Sequence, residues 1–376
     1  MYITPLDLND RRQVRAFLEL PFRIYQNYPL WVPPLETEMR KILDPRRHPF
    51  YRYSQAAFFL ACAARDEPIG RIAVIDNRRY NDYYQSRTAF FYWFECIADA
   101  AVATALFEAA FDWARRRGLE QMMGPRGFTP LDGRGLLVEG FEHRPAFGIA
   151  YNPPYYPALV EAAGFRPHRD YLSGYLRRET AVYPQRVEEL AQRVAARRGL
   201  RVVNFRSRRE LRRLIPHLKE LYNASLGGVR DNIPVDDDDL AALADMLLSF
   251  ADPALIKMVM KGEEVVGFIL GYPDVSEALQ KTKGRLFPFG WFSLWREFKR
   301  TPWVNLNGIG LKEEYRGLGG SALLAGEIAK TLHGKLQYQV GDFVQIDTTN
   351  ENMLREIANF GVEFCKRHRV YVRALN

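Results

Sequence analysis

The chain is written twice. "LDLNDRRQVRAFLELP" (residues 6–21) returns as "VNFRSRRELRRLIP" (203–216), each reading as a short strand, a polar turn and an amphipathic helix. "RDEPIGRIAV" (65–74) returns as "GEEVVGFIL" (262–270), each a hairpin with charged turn residues and a glycine in the return strand. "NPPYYPALVEAAGF" (152–165) returns as "NENMLREIANFGV" (350–362). Arg11 and Arg208, Gly70 and Gly267, and Gly164 and Gly361 all stand 197 residues apart. One such match is chance; three, in one order and at one spacing, require two related domains.

Each copy reads as strand, helix, hairpin, strand, loop, helix, strand, helix, strand. That order predicts an α+β (mixed α/β) fold, with a central, mostly antiparallel sheet flanked by helices in each domain. The expected domains are 1–185 and 186–376, joined through 177–199, where "VEELAQRVAARRG" reads as a connecting helix ending at Gly199. Each copy carries its own insertion: glycine-rich 124–141 in the first, aromatic 273–303 in the second. Apolar residues make up 47% of the chain and aromatics 13%, which fills two cores and excludes global disorder. Three scattered cysteines give no disulfide framework, and no Cys/His cluster gives a metal site. Such cysteine usage fits a reducing, cytoplasmic setting. The first residues lack a signal-peptide core, and the run "AFFYWF" is broken by Glu95 and Asp99, so no membrane span is expected. A net charge of +8 points to an anionic ligand without choosing one.

The choice comes from "EEYRGLGGSALLAGEIAK" (313–330). Three glycines precede a helix, after the strand-like "VNLNGIGL" (304–311). Glycines admit a ligand to bare backbone, and a helix N-terminus offers unpaired N–H donors and a positive dipole end, so the pair forms a diphosphate cradle. There is no GK[ST], which excludes a P-loop, and no complete GxGxxG.

The pattern R-G-L-G-G-S resembles the acyl-coenzyme A loop of the GCN5-related N-acetyltransferase (GNAT) superfamily, Arg/Gln-x-x-Gly-x-Gly/Ala, with serine as a small departure at the last position. The flanking elements resemble it too: "KGEEVVGFILG" as the central hairpin, and Asn350 and Gly361 as the opening and close of the next helix. The resemblance covers most of 200–376 and, through the repeat, most of the first half. It implies two tandem GNAT-like domains and an acetyl-CoA or other acyl-CoA bound by Leu311, Arg316, Gly317, Leu318, Gly319, Gly320, Ser321 and Asn350. The activity it implies is acyl transfer to the amine of a small molecule or peptide. In the first half "ADAAV" (98–102) replaces "RGLGG", which makes that copy one that has lost its cofactor loop.

The chemistry implied is attack of an amine on the thioester, with a base to take the ammonium proton. Asp347 is the first candidate base and Glu313 the second. The tyrosine acid common in relatives, seven residues after the helix-opening asparagine, is replaced by Ile357; Tyr315 and Tyr371 are the substitutes at hand. Three alternatives stay open: an aminoacyl-tRNA-dependent transferase, a long-chain acyl transferase, and a non-catalytic coenzyme A-binding protein. "VDDDD" (235–239) reads as a helix start rather than a metal site, and Cys365 near His368 as a buried strand cysteine. Phe287, Phe289, Trp291 and Trp295 are expected to line or cover a cleft between the domains, with a membrane-surface or partner helix as the other reading.

Overall fold

A computed structural model of the chain describes residues 1–129, 132–181, 189, 193, 195–226, 231–250, 252–315, 320–335 and 337–375. Its strands, in chain order, are β1 (Tyr2–Pro5), β2 (Gln55–Cys62), β3 (Pro68–Asp76), β4 (Thr88–Cys96), β5 (Gln121–Gly124), β6 (Leu136–Glu139), β7 (Arg166–Arg177), β8 (Leu200–Asn204), β9 (Ile256–Lys261), β10 (Glu264–Pro273), β11 (Trp303–Leu311), β12 (Val340–Asp347) and β13 (Glu363–Ala374). The chain forms two compact units. One contains Met1–Leu172, Ser276–Ser293 and Lys366–Asn376; the other contains Ser173–Val275 and Leu294–Cys365.

In the first unit β1 to β5 lie side by side in chain order, antiparallel except for the parallel pair β4–β5. The hairpin β2–β3 turns through Arg65 and Asp66, both at positive φ. Helix Ala100–Arg115 buries Val102, Leu106, Phe107, Ala110 and Phe111, spaced as one helical face, against Phe59, Ile72, Val74 and Phe91. Each phenylalanine buried there stabilises the unit by about 1.5–3 kcal/mol. The next neighbour of β5 is the last part of β13, with Tyr371 opposite Gly124 and Ala374 opposite Gln121. The unit division therefore differs from one cut near residue 185, since 276–293 and 366–376 group with the first unit. Most of the expected connecting helix lies outside the described residues; 195–198 are helical and Gly199 ends them at φ 66°.

In the second unit β8 to β12 lie in chain order, again antiparallel except for the parallel pair β11–β12. Successive residues of a strand face opposite sides, and both sides are covered. Val259, Val266, Ile269, Val304 and Leu306 meet Leu323, Leu324 and Ile328 of helix Gly320–Gly334. Met258, Met260, Phe268 and Leu270 meet Leu211, Leu221 and Tyr222 of helix Arg208–Leu226, with Leu240 and Ala244 of helix Asp237–Phe250 alongside. The aspartates of "VDDDD" open that last helix: Asp239 N–H donates to Asp236 Oδ1 at 2.8 Å and Asp236 N–H to Asp239 Oδ2 at 3.2 Å.

One irregularity is common to both units. The β3–β4 register slips between Arg71 opposite Glu95 and Ala73 opposite Tyr92, leaving an extra residue in β4. The β10–β11 register slips between Ile269 opposite Ile309 and Gly271 opposite Leu306, leaving an extra residue in β11. Each bulge holds one residue at positive φ, Trp93 at 47° and Gly308 at 124°. With Gly70 opposite Cys96 and Gly267 opposite Leu311, the two bulges occupy equivalent positions.

Candidate functional site

Four of the residues expected in the cofactor loop, Arg316, Gly317, Leu318 and Gly319, lie outside the described residues. The helix begins at Gly320, with Ser321 as its second residue. Leu311 ends β11 and is buried, its side chain lodged between two glycines. A Cβ on Gly267 would stand 2.5 Å from Leu311 Cδ2, and one on Gly320 would stand 2.8 Å from it. Gly320 therefore has a packing reason to be glycine, apart from any ligand.

Before this loop the sheet parts. β11 and β12 pair from Trp303 opposite Val340 to Leu306 opposite Phe343. Past that point β11 enters its bulge at Asn307–Gly308 and continues to Leu311, while β12 continues to Asp347. Gly308 is exposed. A bulge turns the backbone groups of a strand away from its neighbour, so this one re-aims the end of β11.

The two carboxylates expected as bases do not meet there. Asp347 Oδ1 accepts from Thr349 N–H at 2.8 Å and Thr349 Oγ1 at 2.7 Å, which is turn-forming work. Glu313 is exposed, in the short turn Glu313–Tyr315. Asn350 caps its own helix, accepting from Met353 N–H at 3.3 Å. Ile357 is buried in that helix, and Tyr371 belongs to the first unit, where its hydroxyl donates to Glu161 at 3.2 Å.

A set of polar residues unforeseen in the sequence lies across the parting strands. Tyr272 of β10 stands opposite Asn305 of β11, which stands opposite Asp342 of β12. Asn305 and Asp342 are 1% and 2% exposed, deep burial for such groups. Asn305 Nδ2 donates to Asp274 Oδ2 at 2.9 Å, and Asn307 Nδ2, at the bulge, donates to the Tyr272 hydroxyl at 3.4 Å. Burial, the largest influence, raises the Tyr272 pKa; the hydrogen bond from Asn307 lowers it, and the nearby carboxylates of Asp274 and Asp342 raise it, so the phenol stays protonated. The signal was available in "VNLNGIGL", where two asparagines alternate on one face of an otherwise apolar strand. It needed the cross-strand register to become a row.

The equivalent row of the first unit is Ile75 opposite Phe90 opposite Met123. All three are buried, and none is polar. The other equivalents are also filled from within. Helix Ala100–Arg115 begins under Asp99, whose carboxylate accepts from Ala101 N–H at 2.8 Å and Val102 N–H at 3.4 Å. The parting of β4 and β5 is closed by Arg126 N–H donating to Phe91 O at 2.9 Å. At the end of β4, Cys96 N–H donates to the Tyr156 hydroxyl and Cys96 O accepts from the Tyr155 hydroxyl, both at 2.9 Å. Tyr156 in turn donates to Glu95 at 2.8 Å, and Glu95 lies 3.7 Å from the buried guanidinium of Arg71.

The four rings expected over a cleft are largely exposed. Phe287, Phe289, Trp291 and Trp295 are 84%, 76%, 57% and 52% exposed.

No protein-family model matches the chain. The bacterial ceramide synthase of Caulobacter vibrioides is 29% identical over 373 residues, 96% of this chain and 95% of its own. Protein YghO of Escherichia coli is 25% identical over 371 residues, 97% of this chain and 94% of its own. Among solved structures, a tandem GNAT protein from the clavulanic acid biosynthesis pathway covers 100% of this chain and 98% of its own, with TM-score 0.57 at 13% identity. A GCN5-related N-acetyltransferase from Sphaerobacter thermophilus covers 100% and 96%, with TM-score 0.53 at 12% identity. The fold is thus that of the tandem GCN5-related N-acetyltransferases: mixed α/β, with sheet and flanking helices in the order the repeat required.

Proposed function

We propose that the chain is an acyl-CoA-dependent N-acyltransferase whose second unit alone binds the cofactor. The observation that carries the reading is the parting of β11 and β12 after Leu306 opposite Phe343, directly ahead of the "RGLGGS" loop. In this reading the gap receives the pantetheine arm against the backbone of β11. The diphosphate lies at the start of helix Gly320–Gly334, held by backbone N–H groups of 316–321 and by the charge of Arg316.

The polar row supplies the acceptor side. Asp342 takes a proton from the acceptor ammonium, and the free amine attacks the thioester carbonyl. The carbonyl oxygen is stabilised by a backbone N–H at the bulge. Collapse expels the thiolate of coenzyme A, which takes a proton from the phenol of Tyr272; the phenolate recovers one from the nitrogen of the new amide, which is left neutral. That phenol replaces the tyrosine whose usual place is held by Ile357. Asn305 and Asn307 orient the two groups.

The acceptor in this proposal is a long-chain amine, and the donor a long-chain acyl-CoA. Support comes from the ceramide synthase relative, a ceramide being the amide of a fatty acid and a long-chain amino alcohol. The test is incubation of the purified protein with palmitoyl-CoA or acetyl-CoA and sphinganine, following thiol release and the amide product by mass spectrometry. Coenzyme A binding without product across a panel of amines would leave a binding protein in place of the enzyme.

A further inference from the structure

Five of the nine exposed large hydrophobic side chains among the described residues fall within nine positions: Phe287, Phe289, Trp291, Phe292 and Trp295. Isolated exposed aromatics are ordinary; a cluster of this kind marks an interaction surface. The helix Gly290–Arg300 shows how it is arranged. Trp291, Phe292, Trp295, Arg296, Lys299 and Arg300 are exposed, while Leu294 is buried and Glu297 half-buried. At 100° per residue the exposed six span one half of the helix, aromatic along one edge and cationic along the other. No acid shares that half. The Lys299 ammonium sits 4.2 Å from the Trp295 ring centroid, so cation and aromatic are interleaved. Phe287 and Phe289 project from the turn before the helix.

We infer that residues 287–300 dock the protein on the surface of an anionic lipid membrane. Phe287, Phe289, Trp291 and Trp295 enter the headgroup–acyl boundary, and Arg296, Lys299 and Arg300 meet lipid phosphates. The charge decides between occupants. A second copy of this chain would bring like-charged edges together. A protein partner's interface core is ordinarily depleted of lysine, whereas the cations here are interleaved with the rings. An anionic interface accepts both, and aromatic rings collect at that depth. No described helix is long and apolar enough to cross a membrane, so the contact lies on one leaflet.

The test uses the full chain and sucrose-loaded vesicles of phosphatidylcholine with or without phosphatidylglycerol. The parent should sediment with the anionic vesicles and weakly with neutral ones, and brominated lipid should quench its tryptophan emission. Phe287→Ser with Phe289→Ser should lower partitioning by about tenfold or more per ring. Arg296→Gln, Lys299→Gln and Arg300→Gln together should lower it about a hundredfold on anionic vesicles, at about fivefold per cation, and little on neutral ones. Far-UV circular dichroism and coenzyme A affinity should not move, which separates a docking defect from misfolding and from the acyl-transfer reading. Parent protein left in the supernatant at low salt overturns the inference. So does partitioning unchanged by the variants, or a dimer that the aromatic changes convert to monomer while vesicle binding stays absent.

Discussion

The same bulge carries a tryptophan in one half of the molecule and a glycine in the other. Around Trp93 the first unit fills from within the places that the proposed function gives to a ligand in the second. A carboxylate of its own, Asp99, caps the helix start where the proposal puts a diphosphate in the second unit. Two of its own hydroxyls, from Tyr155 and Tyr156, bond the strand-end backbone at Cys96. Its row across three strands is Ile75, Phe90 and Met123 instead of Tyr272, Asn305 and Asp342. On the proposed reading a site is lost here by substitution, with internal groups taking over the hydrogen bonds and the volume.

The contrast can be broken most sharply at the loop. Gly319→Val should abolish coenzyme A binding in calorimetry and leave the thermal midpoint nearly unchanged; affinity equal to the parent's would reduce the loop to a turn and make the halves alike at that position. Asp342→Asn should lower turnover by about 10²–10⁴-fold, the usual scale for a positioned base, with coenzyme A affinity retained. If affinity and stability fall together with turnover, the polar row is packing.

Acid should separate the halves next. His368, fully buried in the first unit, bonds Ala150 O through Nε2 at 2.9 Å, and burial pushes its pKa down to about 4. A carbonyl only accepts, so Nε2 donates, and burial keeps the ring neutral; its Nδ1 has no partner among the described residues. Above the ordinary histidine value of about 6.5 this group does not change stability with pH. Between that value and about 4 the unfolded chain binds a proton that the folded one does not, so stability falls as pH falls. The loss amounts to about 3 kcal/mol by pH 4. Urea unfolding at pH 7.5 and 4.5 should show it, and His368→Gln should lessen it, since half-buried His48, also held down to about 4, adds a loss of the same sign; an equal slope in that variant would assign the acid sensitivity elsewhere.

The smallest effect belongs to the closed copy of the loop. Asp99→Ala should cost about 1 kcal/mol through the lost helix cap and leave coenzyme A affinity where it was. A gain or loss of affinity would mean the first unit binds the cofactor after all.

The repeat was legible in the sequence because its anchors are local. The turns after Cys62 and Lys261, and the glycines that return at a fixed distance, depend on near neighbours and keep their spacing. The polar row was not legible, because Tyr272, Asn305 and Asp342 meet only through register, which a slip of one residue would destroy. Asp347 looked catalytic from its place at a strand end, and the structure shows its carboxylate bonded to Thr349. The aromatic insertion was legible as lying outside the repeated scaffold, but a run of aromatics is the same whether it covers a cleft or faces solvent, so its exposure was not. Nor does the pattern of a strand name its neighbour: nothing in "RVYVRA" announces pairing with "QMMG".

That last pairing bears on how the molecule is made. Arg115 bonds Leu375 O across 260 positions of the chain, beside the strand that joins β5. A ribosome delivers β1 to β5 long before that strand exists. Until it arrives, the edge of β5 is an unpaired template, open to pairing with the same edge of another nascent chain. The first half is first in synthesis and last in completion, and in the interval between that edge stands open.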